Sequence, residues 1–425
     1  MENNAVLSHT IGEVLNFENQ LRSSLAYPVD QPSALLVLTQ PQFFARWIAL
    51  EKALAVDKMD VLLSSETAWA SVVDQDSSDV DEEVCLTECG EGFLQMLLAM
   101  TDRYKILPQP GHRLQFLDLQ LELLDEFRVR LLQLARQERS YDTYTKSSVN
   151  ICPILNTVAA VSSVLKDWTD LPFFLQLHSF KVQTELIERQ AAEATEEKLL
   201  PWLRAETGNE QSKATESSAF DDIIELFERM QDDLLSRVVE GVMLEVKAKS
   251  QPYRLDKWAS LPNPDAFIQP SLSPTAAAML QAVALGLQWL QDSLSTPLFT
   301  KAWQKLAEQV SEFLYEELIL QRQFNTGGVA QLNYDIHQNL LPLFSQYSTK
   351  PDSYFRDLKD ACILLSLPNP VAMLLLDTLA QAVQMEESSS TSSRHIYSGR
   401  QALKDQGVKK LNIEEALSVL RRRIL

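Results

Sequence analysis

Phe43-Phe44-Ala45-Arg46-Trp47-Ile48-Ala49-Leu50-Glu51-Lys52-Ala53-Leu54-Ala55-Val56-Asp57-Lys58-Met59-Asp60, running on to Ser64-Ser65-Glu66-Thr67-Ala68-Trp69, decides the fold class. Phe43, Phe44, Trp47, Leu50 and Leu54 recur three and four residues apart, the period of a helix with one apolar face. Thr39 stands just before Pro41, so the spacing predicts a helix capped by Thr39 and entered through the proline.

The same pattern repeats outward. A helix is predicted over about 91–106, carrying Phe93, Leu94, Leu97 and Leu98 and stopping before Pro108-Gln109-Pro110-Gly111. Another covers about 112–138, where Leu114, Leu117, Leu121, Leu124 and Leu131 form a bundle seam. Further helices run from Asn150 to about Trp168 and from Pro172 to about 197. After a polar stretch at 206–217, Ser218-Ala219-Phe220-Asp221 reads as a capping box opening a helix to about 248. Ser273-Pro274 and Thr296-Pro297 place a capping residue before a proline. Helices follow over about 297–323 and 328–345, and Pro351 and Pro370 start two more. Residues 385–393 are low-complexity, and Leu411–Leu425 is a short amphipathic helix with a basic end. No alternating strand pattern of useful length occurs. The fold class is therefore all-α, and short connections imply an elongated rod of stacked antiparallel helical bundles. The expected organisation is bundles at 1–140 and 141–250, a Pro/Ser-rich connector at 251–274, a bundle at 275–385 and a terminal segment at 386–425.

Composition narrows the function. Only 11 of 425 residues are glycine, well under the usual share of about 7%. Nucleotide-binding α/β folds need glycine-rich loops, and no such loop is present. A net charge of −20 opposes direct nucleic-acid binding, since the basic clusters Lys409-Lys410 and Arg421-Arg422-Arg423 are small. The four cysteines, Cys85, Cys89, Cys152 and Cys362, are too few and scattered for a disulfide framework. No apolar run reaches the length of about 18 residues that a membrane span needs, and no secretory signal opens the chain. Composition predicts a cytoplasmic protein, at most peripheral on a membrane.

Chemistry-bearing patterns are sparse. Asp221-Asp222-Ile223-Ile224-Glu225 has the spacing by which all-α isoprenoid enzymes hold Mg²⁺. The plainer reading is acids favoured at a helix start. No second metal-binding stretch accompanies them, and Asp232-Asp233 lies on the same helix. Cys85 and Cys89 lack a second ligand pair for zinc. His9, His112, His178, His337 and His395 are far apart, and His178 sits in an apolar helix as a core or boundary residue. The sequence thus assigns no catalytic, cofactor-binding or metal-ligating residue. The acidic, serine-containing stretch 74–83 reads as a solvated loop, or more sharply as a phosphorylatable or partner-facing one. Trp47, Trp69, Trp168, Trp258, Trp289 and Trp303 fall mostly in helical stripes and read as core.

Several stretches, taken in order, resemble the RINT/TIP family of vesicle-tethering subunits. They are Ile11-Gly12-Glu13-Val14 through Glu18, Trp47 to Trp69, Thr101-Asp102-Arg103-Tyr104-Lys105, Leu114 to Gln120, and Phe127-Arg128-Val129-Arg130-Leu131. Leu165 to Trp168, Phe173 to Leu177, Ser218 to Asp222, Phe324-Asn325-Thr326-Gly327-Gly328 through Leu332, and Pro342 to Ser345 continue the series. The resemblance implies a multisubunit-tether helical rod without enzymatic activity. It implies a subunit of the complex that captures Golgi-derived vesicles at the endoplasmic reticulum, peripheral on that membrane. The implied partners are Zeste-white-type and NAG-type tether subunits and endoplasmic-reticulum SNAREs. A link to the RAD-fifty repair protein and checkpoint control is the alternative it carries. Family members hold a long N-terminal coiled-coil region, so the chain is expected to match their C-terminal half.

Overall fold

A computed structural model describes residues 2–28, 31–72, 86–137, 151–196, 218–263, 271–386 and 392–424. Every named element among them is helical, and their only ladder contacts are two isolated bridges, Ser71 with Thr87 and Phe324 with Arg423. The described residues form two compact units that meet in sequence between Leu234 and Leu235.

The first unit holds α1 (Glu2–Ser23), α2 (Leu35–Leu38), α3 (Pro41–Ser64), α4 (Glu88–Tyr104), α5 (Pro110–Gln137), α6 (Ile151–Thr169), α7 (Pro172–Glu196) and the start of α8 (Asp221–Lys249). Its core is aromatic. Trp47 packs edge-on against Phe116 at 5.0 Å, Phe116 stacks on Tyr104 at 5.3 Å, and Phe93 stacks on Phe127 at 4.0 Å. Such pairs add about 0.5–1.5 kcal/mol each beyond the area they bury. A second cluster joins Trp168, Phe174 and Phe220.

The second unit holds the rest of α8, α9 (Gln251–Arg254), α10 (Pro274–Ser293), α11 (Thr296–Leu314), α12 (Thr326–Tyr334), α13 (Leu341–Ser345), α14 (Arg356–Ser366), α15 (Asn369–Glu386), α16 (Ser392–Asp405) and α17 (Ile413–Leu420). Two π-helical turns interrupt it, Tyr315–Ile319 after α11 and Asp335–Leu340 before α13. The second precedes Pro342, whose ring cannot follow a regular α-helical turn; the wider π turn accommodates it.

Several expectations are corrected. Thr39 does not cap α3: it is buried at the end of the unforeseen α2, and Gln40 takes the N-cap position without a side-chain bond. The α3 stripe is Phe44, Trp47, Leu50, Ala55 and Met59, while Phe43 and Leu54 are exposed. A strict 3.6 period carries the buried face through Glu51 and Ala55, and Leu54 falls beside it. The helix ends at Ser64, so Trp69 lies in a turn. In α5 the buried face is Phe116, Leu117, Leu123, Leu124, Phe127 and Leu131, with Leu114 and Leu121 only half-buried. Ser295, not Thr296, precedes α11. Pro351 opens a 3-10 turn, Pro351–Ser353, and the next helix begins at Arg356.

The organisation differs most at 251–274. The division between units falls inside α8, and the described residues of this stretch, 251–263 and 271–274, belong to the second unit. Its residues explain why: Tyr253 and Trp258 are fully buried, and Ser273 is bonded into the core. The terminal segment is also integral, since Val408, Leu411, Ala416, Val419 and Leu420 are buried. Asn150, the stretches 74–83 and 206–217, and residues 387–391 lie outside the described residues. No single described helix is long and apolar enough to cross a membrane; α14 with the first part of α15 reaches that composition only as a pair bent by 118°.

Candidate functional site

The acidic motif is spent on local structure. Asp221 accepts the Ser218 N–H at 2.6 Å, and the Ser218 hydroxyl accepts the Phe220 N–H, so only one arm of the predicted capping box forms. Glu225 pairs with Arg229 one turn on, and Asp222 is exposed. Among the described residues no group of three or more His, Cys, Asp or Glu is placed to hold a metal ion. Cys89, Cys152 and Cys362 are buried, and burial pushes the Cys362 thiol up to about 12. Cys85 lies outside the described residues. Trp47, Trp168, Trp258 and Trp303 are buried, whereas Trp69 and Trp289 are half-buried.

Buried polar groups instead tie helices together. In the first unit Gln120 is the centre of one network. Its amide donates to the Leu97 carbonyl and the Thr101 hydroxyl, both at 2.8 Å, and its carbonyl accepts from the Tyr104 hydroxyl at 2.8 Å. Burial pushes the Tyr104 phenol well above its ordinary range. Glu51, also buried, accepts from the Trp47 indole at 3.0 Å and from Arg103 at 2.7 Å. Glu18 accepts from Arg22 and from the Ala34 N–H, which docks α1 on α2; burial raises its pKa, but these donors outweigh it and hold the carboxyl below its usual value.

In the second unit Asp335 plays that part. Its carboxylate accepts from the Ser273 N–H and hydroxyl, the Gln331 amide and the Tyr253 hydroxyl. Burial raises its pKa, and the donors only partly offset that. Asp335 and Tyr253 border a small void that both π turns reach, through Leu318 and Ile336, and otherwise lined by apolar side chains. It is of the size of a water molecule rather than of a substrate.

Asn325-Thr326-Gly327-Gly328 has a similar role. Asn325 caps α12 through the Gly328 N–H at 2.7 Å and donates to the Leu261 carbonyl at 2.8 Å. A Cβ on Gly327 would lie 2.2 Å from the Pro262 carbonyl oxygen, and one on Gly328 2.2 Å from that of Trp258. The glycines therefore allow helix and loop to touch backbone to backbone.

The buried face of α7 carries Phe174 and Leu177; a separate stripe carries Leu175 and Leu186, exposed, with half-buried Val182 between them, and exposed Leu171, just before the helix, continues it. These lie within a narrow arc of the helix, at the spacing of one face, so α7 shows a second apolar face.

A sequence profile of the RINT-1/TIP-1 family matches residues 1–423. The chain belongs to the RINT-1/TIP-1 family. A RINT1-like protein of Drosophila melanogaster is 32% identical over 419 residues, which are 99% of this chain and 51% of that protein. The chain therefore spans about half the length of that curated relative. Among solved structures, that of the SNARE Sec20 bound to the Dsl1 complex subunit Tip20 is similar with a TM-score of 0.56 at 14% identity, covering 97% of this chain and 63% of that one. That likeness is one of fold, an all-α chain of packed helices. The stretches that resemble the RINT-1/TIP-1 family fall largely on the buried ties above, around Glu18, Gln120 and Asn325. Sequence reasoning flagged these stretches, read Ser273 only as a helix cap, and missed Asp335, which carries no motif.

Proposed function

We propose that this RINT-1/TIP-1 family member is a non-enzymatic subunit of an endoplasmic-reticulum vesicle-tethering complex that acts in Golgi-to-ER transport by binding SNARE helices. The family match over residues 1–423 carries the reading, and the fold likeness to Tip20, solved with Sec20, supports it. Partner subunits of the Zeste-white and NAG types and a peripheral position on the reticulum membrane belong to the same proposal. Asp221 serves as a cap and Glu225 in an ion pair, which agrees with a scaffold. The second apolar face of α7 is the surface we assign to a SNARE helix, since a helix-in-groove partner reads anchors at i and i+4.

The test is capture of SNARE cytosolic segments and tether subunits by the purified chain from a detergent extract of endoplasmic reticulum. Recovery that drops with Leu175→Glu or Leu186→Glu, in protein of unchanged helicity, supports both reading and surface. Recovery indifferent to both variants removes the α7 assignment, and absence of any SNARE from the well-folded chain removes the SNARE-binding function.

A further inference from the structure

We propose that the corner between α14 and α15, with the arginines of the chain's end, is a contact for an anionic lipid surface. The corner is Leu367-Pro368-Asn369, where the two helices bend by 118°. Arg423 is fastened to it: its guanidinium donates to the Leu367 carbonyl and to the Asn369 side chain at 2.6 Å. Arg421 and Arg422 precede it immediately after α17. Within about one turn of the corner on α15, Met373 is 50% and Leu374 70% exposed, and Ile424 beside Arg423 is 42% exposed.

Charge selects the partner. The chain carries −20 overall, yet three consecutive arginines, Arg421, Arg422 and Arg423, stand here. Arg423 uses neutral acceptors, and among the described residues no carboxylate pairs with Arg421 or Arg422. Asp377 lies one turn beyond Met373 along α15. Exposed apolar side chains next to unneutralised arginines are the chemistry of interfacial binding: the apolar groups enter the acyl boundary while guanidinium groups stay at the phosphates. A bent helix corner projects its residues, which suits a membrane surface better than the concave site a peptide helix needs. The weak, salt-sensitive attraction such a patch supplies suits a subunit that other tether contacts bring to the membrane.

The experiment is flotation of the whole chain with phosphatidylcholine vesicles, with and without phosphatidylserine. Arg421→Gln/Arg422→Gln removes two charges that make no ion pair among the described residues, and Leu374→Ser removes the most exposed apolar group of the corner. The expected result is binding only with phosphatidylserine, weakened by salt, about thirtyfold weaker in the double arginine variant and also reduced in Leu374→Ser. Arg229→Gln, on α8, should bind as the unaltered chain does. Failure of the unaltered chain to float with phosphatidylserine vesicles overturns the proposal, and so does flotation that neither variant changes. SNARE capture through α7 is independent of either outcome.

Discussion

Ser273 gives both its backbone N–H and its hydroxyl to the carboxylate of Asp335, at 3.1 and 2.6 Å, across 62 residues of sequence. The serine that stands where a helix cap is expected thus fastens the start of α10 to the π turn before α13. Replacing Asp335 by Ala leaves the Ser273, Gln331 and Tyr253 donors without their acceptor in the core, and a loss of about 3 kcal/mol is expected. Asp335→Asn keeps an acceptor and removes the buried charge. Because burial raises the folded-state pKa of Asp335, its contribution is fully present below the ordinary aspartate pKa and is lost as pH rises through the folded value. Denaturant unfolding across mildly acidic pH should show a flatter profile in Asp335→Asn than in the unaltered chain.

Gly328 permits α12 to start against the Trp258 carbonyl. Gly328→Ala should destabilise the second unit by about 3 kcal/mol, or about 6–12 °C in Tm, because neither contacting backbone can move freely. Thermal unfolding followed by circular dichroism checks this. Gly111, with open space around its Cβ position, is the matched control and should tolerate Ala.

Much of the fold was legible because its helices carry dense apolar periodicity and proline starts, as in α3, α5, α7 and α10. Boundaries were less so. Thr39 obeys every local rule for an N-cap, yet it is buried behind the short α2, a placement set by packing rather than by local pattern. The stretch 251–274 has the composition of a linker, but Tyr253 and Trp258 bury completely, and the carboxylate that holds Ser273 lies 62 residues away. The apolar face proposed for a partner was illegible for the same reason: Leu171 and Leu175 look like core leucines until the neighbours of α7 are known.

Asp360 is buried and accepts the N–H groups of Lys409 and Lys410, at 2.9 and 2.6 Å, and that of Leu411 at 3.3 Å. It holds the entry to α17 in place. Asp360→Ala should release residues 408–424, including the Phe324–Arg422 and Ile424–Phe324 backbone bonds. Hydrogen exchange at these amides should accelerate by at least about tenfold, a cost of about 1.4 kcal/mol or more, while amides of α4 and α5 keep their protection. Unchanged exchange at 408–424 would show that apolar burial alone seats α17.

His112 packs on Phe44 at 4.3 Å between centroids, and burial lowers its pKa; burial also lowers that of His178. A lowered folded pKa means stability present above the unfolded histidine value, about 6.5, and lost as pH falls through the folded value. The first unit should therefore weaken on mild acidification, and His112→Leu should reduce that dependence. Tryptophan fluorescence melts between neutral and mildly acidic pH read it directly.

The central claim is that this chain is a tether scaffold that binds a SNARE helix on α7. Titrating the purified chain with a labelled cytosolic segment of an endoplasmic-reticulum SNARE, and repeating with Leu175→Glu, tests it most directly. The account predicts saturable one-to-one binding that the substitution weakens by at least tenfold, about 1.4 kcal/mol, without loss of helicity. Binding of equal strength in the variant, or none in the unaltered chain, would contradict it.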